Sequence, residues 1–291
     1  MIRRKLRFDS CWAYILENHQ RTCKNIGLNY FLILRKNFFT NMSLYKNPKY
    51  YEIAFSFRNI PHEVDFFEKA IKKFSKIKVG KVFELASGNS PYLEEWHKRG
   101  YEYFGLDLNK EMLDFVKARA KEKSIKATLF RANMNKFSLE IPKVDLVYVL
   151  LGSLYTKSNE EFFQHLDSLS KVLKSGGLYI LDGVVWFNVL SDNKQSWTIS
   201  KRGIKVKTTF RSSVVNPVTQ LFRENIILEI WADGKKKQIQ SAEIRKLFFP
   251  QEFLALIKCH NKFEFLGWFD NFDIKRQATQ KGRQVVVLRK K

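Results

Sequence analysis

Two carboxylates and one glycine stand where two predicted strands end. Glu84 lies in an apolar segment, residues 81–86, and Gly88 follows it, whereas Asp107 closes the next such segment, 23 residues after Glu84. A carboxylate in that place can accept hydrogen bonds from both hydroxyls of a ribose. Gly88 permits a sharp turn and a close approach of a ligand to the backbone. These residues therefore predict a crevice that binds a nucleoside.

The turn after Glu84 argues against a phosphorylated ligand. Asn89 and Ser90 follow Gly88, so the GxGxxG fingerprint is absent, and Pro91 lacks an N–H that a pyrophosphate would use. The sequence also has no GxxxxGK[ST] motif. Glu84 adds a negative charge, which repels phosphate and favours an ammonium group. S-adenosylmethionine combines an adenosine with an amino-acid tail and a sulfonium, and we predict it as the cofactor.

Short apolar runs alternate with helical stretches along the middle of the chain. This alternation implies right-handed crossovers and a mainly parallel sheet. We predict an α/β fold, a doubly wound Rossmann-like sheet of seven mostly parallel strands with helices on both faces. The predicted strands are residues 81–86, 101–107, 126–131, 144–151, 178–185, 263–269 and 284–289. The predicted helices are one that begins at Pro61, 91–99, 110–123, one that begins at Ser158 and ends near 174–177, and one that begins at Pro250.

After Trp186 the apolar residues recur with period two. Residues 197–210, 219–231 and 237–249 alternate in this way, and Asp233-Gly234 is typical of a hairpin turn. We expect an antiparallel insertion that acts as a lid. The predicted segments are a basic N-terminal extension (1–41), either disordered or an artefact of an upstream start, a cofactor-binding core (42–193), the lid (194–249) and the last helix and strands of the core sheet (250–291).

Positive charge is concentrated at the two ends of the chain. The formal net charge is +23, of which residues 1–41 carry +6, residues 42–193 carry +4 and residues 194–291 carry +13. One interpretation is a nearly neutral core that carries a basic lid and a basic arm. Nucleic acid is then a possible partner, but it is not the favoured one. The other interpretation is a general use of lysine as the default surface residue.

Cysteine content and hydropathy restrict the remaining classes of protein. Cys11, Cys23 and Cys259 have no metal-ligand spacing and cannot form a disulfide framework, so we predict no metal site and a reducing, cytoplasmic location. No apolar run approaches the roughly 18 to 20 residues that span a bilayer, so no membrane partner is predicted.

Five segments resemble the class I S-adenosylmethionine-dependent methyltransferases, in particular the small-molecule methyltransferase-like members. The resemblance covers about residues 45–291. VFELASGNSPYLEEW resembles motif I, [DE]xxxGxG, with Glu84 and Gly88 matched and Ser90 replacing the second glycine. GLDLNKEML is similar to the ribose-binding stretch, RANMNKF to the adenine-side loop, VDLVYVLLGSLY to motif IV, and LKSGGLYILD to the helix and turn before the fifth strand.

The resemblance implies a set of cofactor-binding residues. Asp107 would bind the ribose, Leu108, Asn133 and Met134 would lie against the adenine, and Leu151, with Gly152 and Ser153, would border the methionine. Residues of the preceding helix, among them Tyr45, would close over the amino-acid end. The predicted cofactor-binding residues are Glu84, Ala86, Gly88, Asp107, Leu108, Asn133, Met134, Leu151, Tyr51 and Arg58.

The resemblance implies transfer of a methyl group to N or O of a small molecule. Two alternatives remain open, an RNA methyltransferase that uses the basic lid and arm, and a non-catalytic S-adenosylmethionine-binding protein. Leu151-Gly-Ser-Leu stands where nucleic-acid enzymes that methylate amines usually carry [DN]PP[YF], which argues against RNA. No catalytic base is evident. Asp182 either orients a substrate amine or is a turn residue, and we prefer the second interpretation. The sequence indicates neither the acceptor nor the oligomeric state.

Overall fold

The computed structural model describes residues 44–188, 192–280 and 282–291. All of them belong to one compact unit, Ser43–Lys291. The predicted N-terminal extension, residues 1–41, lies outside the described residues. The division of the unit into core, lid and last segment stays a prediction.

A large mixed sheet forms the centre of this unit. Its strands have the order β11-β10-β12-β5-β4-β1-β2-β3. Strands β1 to β5 run parallel, whereas β12, β10 and β11 pair antiparallel at one edge. The strands are β1 (Lys81–Leu85), β2 (Glu102–Asp107), β3 (Ala127–Arg131), β4 (Val144–Val149), β5 (Leu173–Asp182), β6 (Asn193–Lys201), β7 (Ile204–Asn216), β8 (Leu221–Ala232), β9 (Lys235–Lys246), β10 (Phe263–Asp270), β11 (Asp273–Gln277) and β12 (Gln284–Lys290).

Helices cover both faces of this sheet because its inner strands are apolar on both sides. All of β4 is buried, and along β1 the side chains alternate between two core clusters, Val82 in one and Phe83 in the other. The helices are α1 (Pro48–Ala54), α2 (Ile60–Phe74), α3 (Leu93–Lys98), α4 (Lys110–Glu122), α5 (Asn159–Val172) and α6 (Pro250–His260). The predicted fold class is confirmed, and β11 is an additional edge strand.

Strands β6 to β9 form a separate four-stranded antiparallel sheet, which we call the lid. The Asp233-Gly234 hairpin turn is confirmed, with φ of 51° and 71° at its two residues. The expected antiparallel insertion is present, but its alternating stretch 197–210 is interrupted: the chain turns at Arg202 and Gly203, again with positive φ, and so makes the hairpin of β6 and β7. Arg202-Gly203 lacks the Asn-Gly or Asp-Gly signal that marks such turns in a sequence.

Two predicted helix ends differ from the structure. The helix expected at 91–99 begins two residues later, at Leu93, because Pro91 and Tyr92 still belong to the preceding turn. The helix expected to end near 174–177 ends at Val172, and the chain then enters β5, whose pairing with β4 is irregular there. Its predicted start is correct, since the Ser158 side chain accepts a hydrogen bond from the Glu161 N–H.

The lid packs its apolar face on α1. Ile53 and Ala54 of α1 contact the lid residues Val206, Leu228 and Ile230, and all five side chains are buried. The indole N–H of Trp197 also donates to the Ala54 carbonyl at 2.7 Å. The lid and α1 are therefore joined on one side of the large sheet.

None of the helices formed by the described residues combines the length and apolarity needed to cross a bilayer. The cytoplasmic location stays a prediction.

Candidate functional site

The turn that follows β1 is bent at three alternate residues. Ala86, Gly88 and Ser90 have φ of 49°, 51° and 43°, the left-handed region that glycine adopts most easily. Ser87 donates its N–H to the Leu106 carbonyl at 2.9 Å, which fixes the turn to β2. Although Ser90 replaces the glycine of motif I, the chain has the same left-handed bend there.

A buried hydrogen-bond network holds Ser90. Its hydroxyl lies 2.7 Å from the Tyr103 hydroxyl, and Tyr103 in turn donates to a Glu84 carboxylate oxygen at 2.5 Å. Ser90 and Tyr103 are both almost fully buried. The network offsets part of the cost of a non-glycine residue in the left-handed region.

Arg119, near the end of α4, binds the same turn, and we call its bonds to the turn the Arg119 clamp. Its guanidinium donates to the carbonyls of Asn89 and Ser90, each at 2.5 Å, and pairs with Glu52 of α1 at 3.0 Å. Bonds from a cation to backbone carbonyls are stronger than bonds between neutral groups. Arg119 therefore connects the turn, α4 and the helix beneath the lid.

Asp107 lies at the carboxyl end of β2 and faces this turn. One of its carboxylate oxygens accepts from the Gly88 N–H at 2.7 Å and the other from the Asn109 N–H at 2.8 Å. Burial raises the pKa of the Asp107 carboxyl, and these N–H groups oppose the rise. Because a carboxylate has about four acceptor sites, each oxygen can still accept from a ligand hydroxyl.

Glu84 is buried under the turn, and its charge differs from the sequence-based expectation. Burial raises the pKa of the Glu84 carboxyl to about 8, although Tyr103 and Arg58 oppose the rise. With this pKa the carboxyl is mostly protonated at pH 7, so the expected negative charge is absent until a cation comes close. A positive ligand group would favour the ionised form.

A cavity of about 260 Å³ opens beside the turn. An added Cβ at Gly88 would approach only the Ala86 carbonyl, at 4.0 Å, so the backbone of this residue is open to a ligand. The cavity brings together six of the ten predicted cofactor-binding residues: Tyr51, Arg58, Glu84, Ala86, Gly88 and Leu151.

The other four predicted residues do not line this cavity. Asp107 is joined to it through the Gly88 N–H, and Leu108 is 59% exposed. Asn133 is also exposed, and its loop is tied to β2 because the Ala132 N–H donates to the Asp107 carbonyl at 3.1 Å. Met134 packs partly buried against the core.

His165 fixes the backbone beside Met134. Its Nδ1 lies 2.7 Å from the Met134 carbonyl and its Nε2 lies 2.7 Å from the Tyr179 hydroxyl. Burial lowers the pKa of His165 to about 4, so the ring is neutral at physiological pH. It is a packed core histidine.

Arg58 and Tyr51 close the cavity from the side of α1. Arg58 pairs with Glu63 of α2 at 2.5 Å, and its guanidinium lies 4.8 Å from the centre of the Tyr92 ring. Burial raises the pKa of Tyr51 to about 12, so its hydroxyl keeps the proton. The ion pair and the ring contact hold the Arg58 side chain in place.

Asp182 holds the turn after β4. It is 1% exposed, accepts from the Leu151 N–H at 2.9 Å and forms an ion pair with Arg283. Arg283 also pairs with Glu63 at 2.9 Å. The carboxylate is thus fully engaged within the protein, in agreement with its interpretation as a turn residue and not as a ligand for a substrate amine.

Four side chains around the site were not predicted from the sequence: Tyr92, Tyr103, Arg119 and Arg283. Tyr103 and Arg119 bond to the turn, whereas Tyr92 and Arg283 both bond to Glu63, which pairs with Arg58 of the cavity lining. No spacing in the sequence marks them.

Residues 82–177 match a family model described as a methyltransferase domain. Over 105 residues the chain is 30% identical to the YqeM protein of Bacillus subtilis (strain 168), which is named as a methyltransferase. The match covers 35% of this chain and 42% of YqeM, so the chain spans less than half the length of this curated relative.

Solved structures with similar folds extend over most of the chain. An S-adenosylmethionine-dependent methyltransferase from Clostridium acetobutylicum ATCC 824 has a TM-score of 0.68 at 17% identity and covers 82% of this chain and 95% of its own. Streptomyces venezuelae DesVI has a TM-score of 0.68 at 18% identity, covering 84% and 98%. CalS10, an amino pentose methyltransferase from Micromonospora echinaspora, has a TM-score of 0.64 at 15% identity, covering 81% and 93%.

The domain match and the shared fold agree with the order of elements around the turn after β1. The chain has the fold of these S-adenosylmethionine-dependent methyltransferases, and its residues 82–177 match the model of a methyltransferase domain.

Proposed function

We propose that the protein transfers a methyl group from S-adenosylmethionine to N or O of a small molecule. One observation carries the proposal: the Gly88 N–H donates to Asp107 across the carboxyl ends of β1 and β2, beside a cavity that α1 covers. In doubly wound sheets this edge is where ligands bind. The fold alone would permit other functions. The bond between Gly88 and Asp107 is therefore the local feature on which we base nucleoside binding.

The residues around the cavity fit the parts of this cofactor. Asp107 has free acceptor sites for the ribose hydroxyls, and Leu108, Asn133 and Met134 would lie on the adenine side. Glu84 would face the ammonium group, and Arg58 the carboxylate. The open backbone of Gly88 would let the ligand approach closely.

The cofactor supplies the reactive group. When bound, S-adenosylmethionine presents a methyl carbon on a sulfonium; transfer breaks the carbon–sulfur bond, leaves its electron pair on sulfur, and joins the carbon to an acceptor atom that gives up a proton. The protein has to hold the acceptor in line and exclude water, which is worth several powers of ten in rate. The lid and α1, which are joined through Trp197, would do this.

Three observations favour a small acceptor over RNA. CalS10, which shares the fold, is named as an amino pentose methyltransferase. Leu154 is fully buried, so it is not available to stack against a flipped base. On the outer lid surface, Glu229 pairs with both Lys207 and Lys236 and so neutralises part of the basic charge.

Calorimetry with S-adenosylmethionine and S-adenosylhomocysteine tests the cofactor assignment. We predict that Asp107→Ala weakens binding by about 1 to 3 kcal/mol, because a charged acceptor for the ribose is lost. Asp114→Ala is the control, since Asp114 is an exposed carboxylate of α4 paired with Lys110. A folded protein that binds neither compound would overturn the proposal.

Mass spectrometry then tests methyl transfer. The protein is incubated with isotope-labelled S-adenosylmethionine and a cell extract that has been passed through a small-pore filter, and the labelled product is expected in the small-molecule fraction. Label that appears only in added tRNA or rRNA would favour the RNA alternative. Cofactor binding without any labelled product would favour the non-catalytic one.

A further inference from the structure

The inner face of the lid carries one row of side chains that is polar across all four strands. Asn193 pairs with Ser212, Ser212 with Glu224, and Glu224 with Glu243, from β6 to β9. Residues directly opposite on neighbouring strands point to the same face of a sheet. We call these four residues the polar row.

The lid face is apolar only two rows away. There, Trp197, Thr208, Leu228 and Ile239 are opposite one another, and Leu228 and Ile239 pack in the cluster that contains α1. Burial against α1 therefore explains the apolar rows but not the polar row, which continues on the same face beyond the contact with α1.

Two members of the polar row are buried. Glu224 is 7% exposed, forms an ion pair with Arg245 at 2.7 Å and accepts from the Tyr155 hydroxyl at 3.3 Å. Ser212 is 3% exposed, and within the described part of the chain its hydroxyl has no hydrogen-bond partner. Because an unpaired buried hydroxyl is costly, Ser212 points to a ligand that completes its hydrogen bonding.

Glu243 brings a second carboxylate to the polar row. Burial raises the pKa of its carboxyl, Lys157 opposes the rise, and Glu224 adds to it. In the described residues no ion pair within 4 Å involves Glu243, whereas Arg245 already compensates Glu224. The polar row therefore has capacity for one further positive group.

The polar row lies next to the proposed cofactor cavity. Tyr155, which donates to Glu224, lies beside Tyr45, and the Tyr45 ring lies 5.9 Å from that of Tyr51 in the cavity lining. On the other side, an added Cβ at Gly152 would lie 3.0 Å from an Arg245 nitrogen, and Leu151 lines the cavity. The polar row therefore borders the cavity through Tyr155 and Tyr45 on one side and through Arg245 on the other.

We propose that the polar row is the acceptor subsite and that it binds a small molecule bearing an amine, with hydroxyl groups beside it. This inference rests on the proposed function. Carboxylates accept hydrogen bonds from ammonium or amine N–H groups, and the Ser212 hydroxyl and Asn193 amide suit hydroxyls. A phosphorylated or carboxylated group would meet two glutamates that face the same place.

Ligand-observed NMR with matched probes tests this subsite in the protein saturated with S-adenosylhomocysteine. The pairs are D-glucosamine and D-glucose, ethanolamine and ethylene glycol, and benzylamine and benzyl alcohol. We expect at least one amine to bind about tenfold more tightly than its hydroxyl partner, the factor that one charge-assisted hydrogen bond provides. No amine preference in any pair would overturn the inference.

Glu243→Gln should abolish that preference and leave the affinity for S-adenosylhomocysteine unchanged. Glu229→Gln is the matched control, because it makes the same substitution on the lid next to Lys207 and Lys236 and should keep the preference. An amine preference that persists in Glu243→Gln would also overturn the inference. Retained cofactor affinity shows that the variant is folded.

The two proposals fail separately. If the wild-type protein does not bind S-adenosylhomocysteine, the proposed function fails before any probe is added. If it binds that compound and shows no amine preference, only the acceptor assignment fails.

Discussion

The turn after β1 and the lid are built on different principles. The turn is held by backbone geometry: three left-handed residues, an N–H bond to Asp107 and the Arg119 clamp. The lid is held by side chains, through an apolar contact with α1, and it carries the polar row. On the functions proposed above, the turn would provide a fixed cofactor site, whereas the lid would set the acceptor. Changes in the turn should therefore alter cofactor affinity, and changes in the polar row should not.

The largest effect on the turn is expected from Arg119→Ala. This substitution removes two bonds to the Asn89 and Ser90 carbonyls and the ion pair with Glu52. We expect the free energy of unfolding to fall by about 2 to 3 kcal/mol, measured by urea titration, and cofactor affinity to fall about tenfold or more.

Lys117→Ala is the control for Arg119→Ala, since Lys117 lies on the exposed face of α4. Its stability and cofactor affinity should match those of the wild-type protein. If Arg119→Ala binds the cofactor as tightly as the wild type, the bonds from Arg119 to the turn do not contribute to cofactor binding. That result would contradict the distinction between turn and lid.

Ser90 gives an intermediate effect with a characteristic pattern. Ser90→Ala keeps the residue in the left-handed region but loses the bond to Tyr103, so we expect a loss of about 1 to 2 kcal/mol in the free energy of unfolding. Ser90→Gly loses the same bond and relieves the backbone strain, so it should lie closer to the wild type. Urea titration of both variants checks this order. The reverse order would mean that the left-handed bend carries no strain.

Glu84 should make cofactor binding depend on pH. In the free protein its pKa of about 8 keeps the carboxyl protonated at pH 7, and a cationic ligand would favour the ionised form. Binding should then release a proton, and affinity should rise with pH below 8, by at most about tenfold per pH unit. Calorimetry at pH 7 in buffers of different ionisation enthalpy measures the number of protons released on binding.

The stability of the free protein should change in the opposite direction. The unfolded Glu84 carboxyl loses its proton near its ordinary pKa and the folded one only near 8, so Glu84 makes the free energy of unfolding fall as pH rises between these values. Glu84→Gln should remove both effects. Proton release that persists in this variant would assign it to another group.

The sequence predicted the half of the site that follows from strand ends. Parallel strands bring their carboxyl ends to one edge, so Glu84, Gly88 and Asp107 could be placed together from an alternating pattern alone. The charge state of Glu84 could not be predicted, because it depends on burial and on Tyr103 from another strand.

The lid could be predicted as a class of structure but not as a site. Period-two alternation indicated antiparallel strands, yet one unmarked turn at Arg202 and Gly203 hid a whole hairpin. Without that turn the register is unknown, and register alone decides that Ser212, Glu224 and Glu243 share a face. Arg119 and Arg283 were missed for a related reason, since their partners are distant in the chain.

Calorimetric titration of S-adenosylmethionine into the wild-type, Asp107→Ala and Asp114→Ala proteins is the most direct measurement. The account predicts binding to the wild type, equal binding to Asp114→Ala, and a loss of about 1 to 3 kcal/mol in Asp107→Ala. Equal affinity in all three proteins, with Asp107→Ala folded, would contradict it.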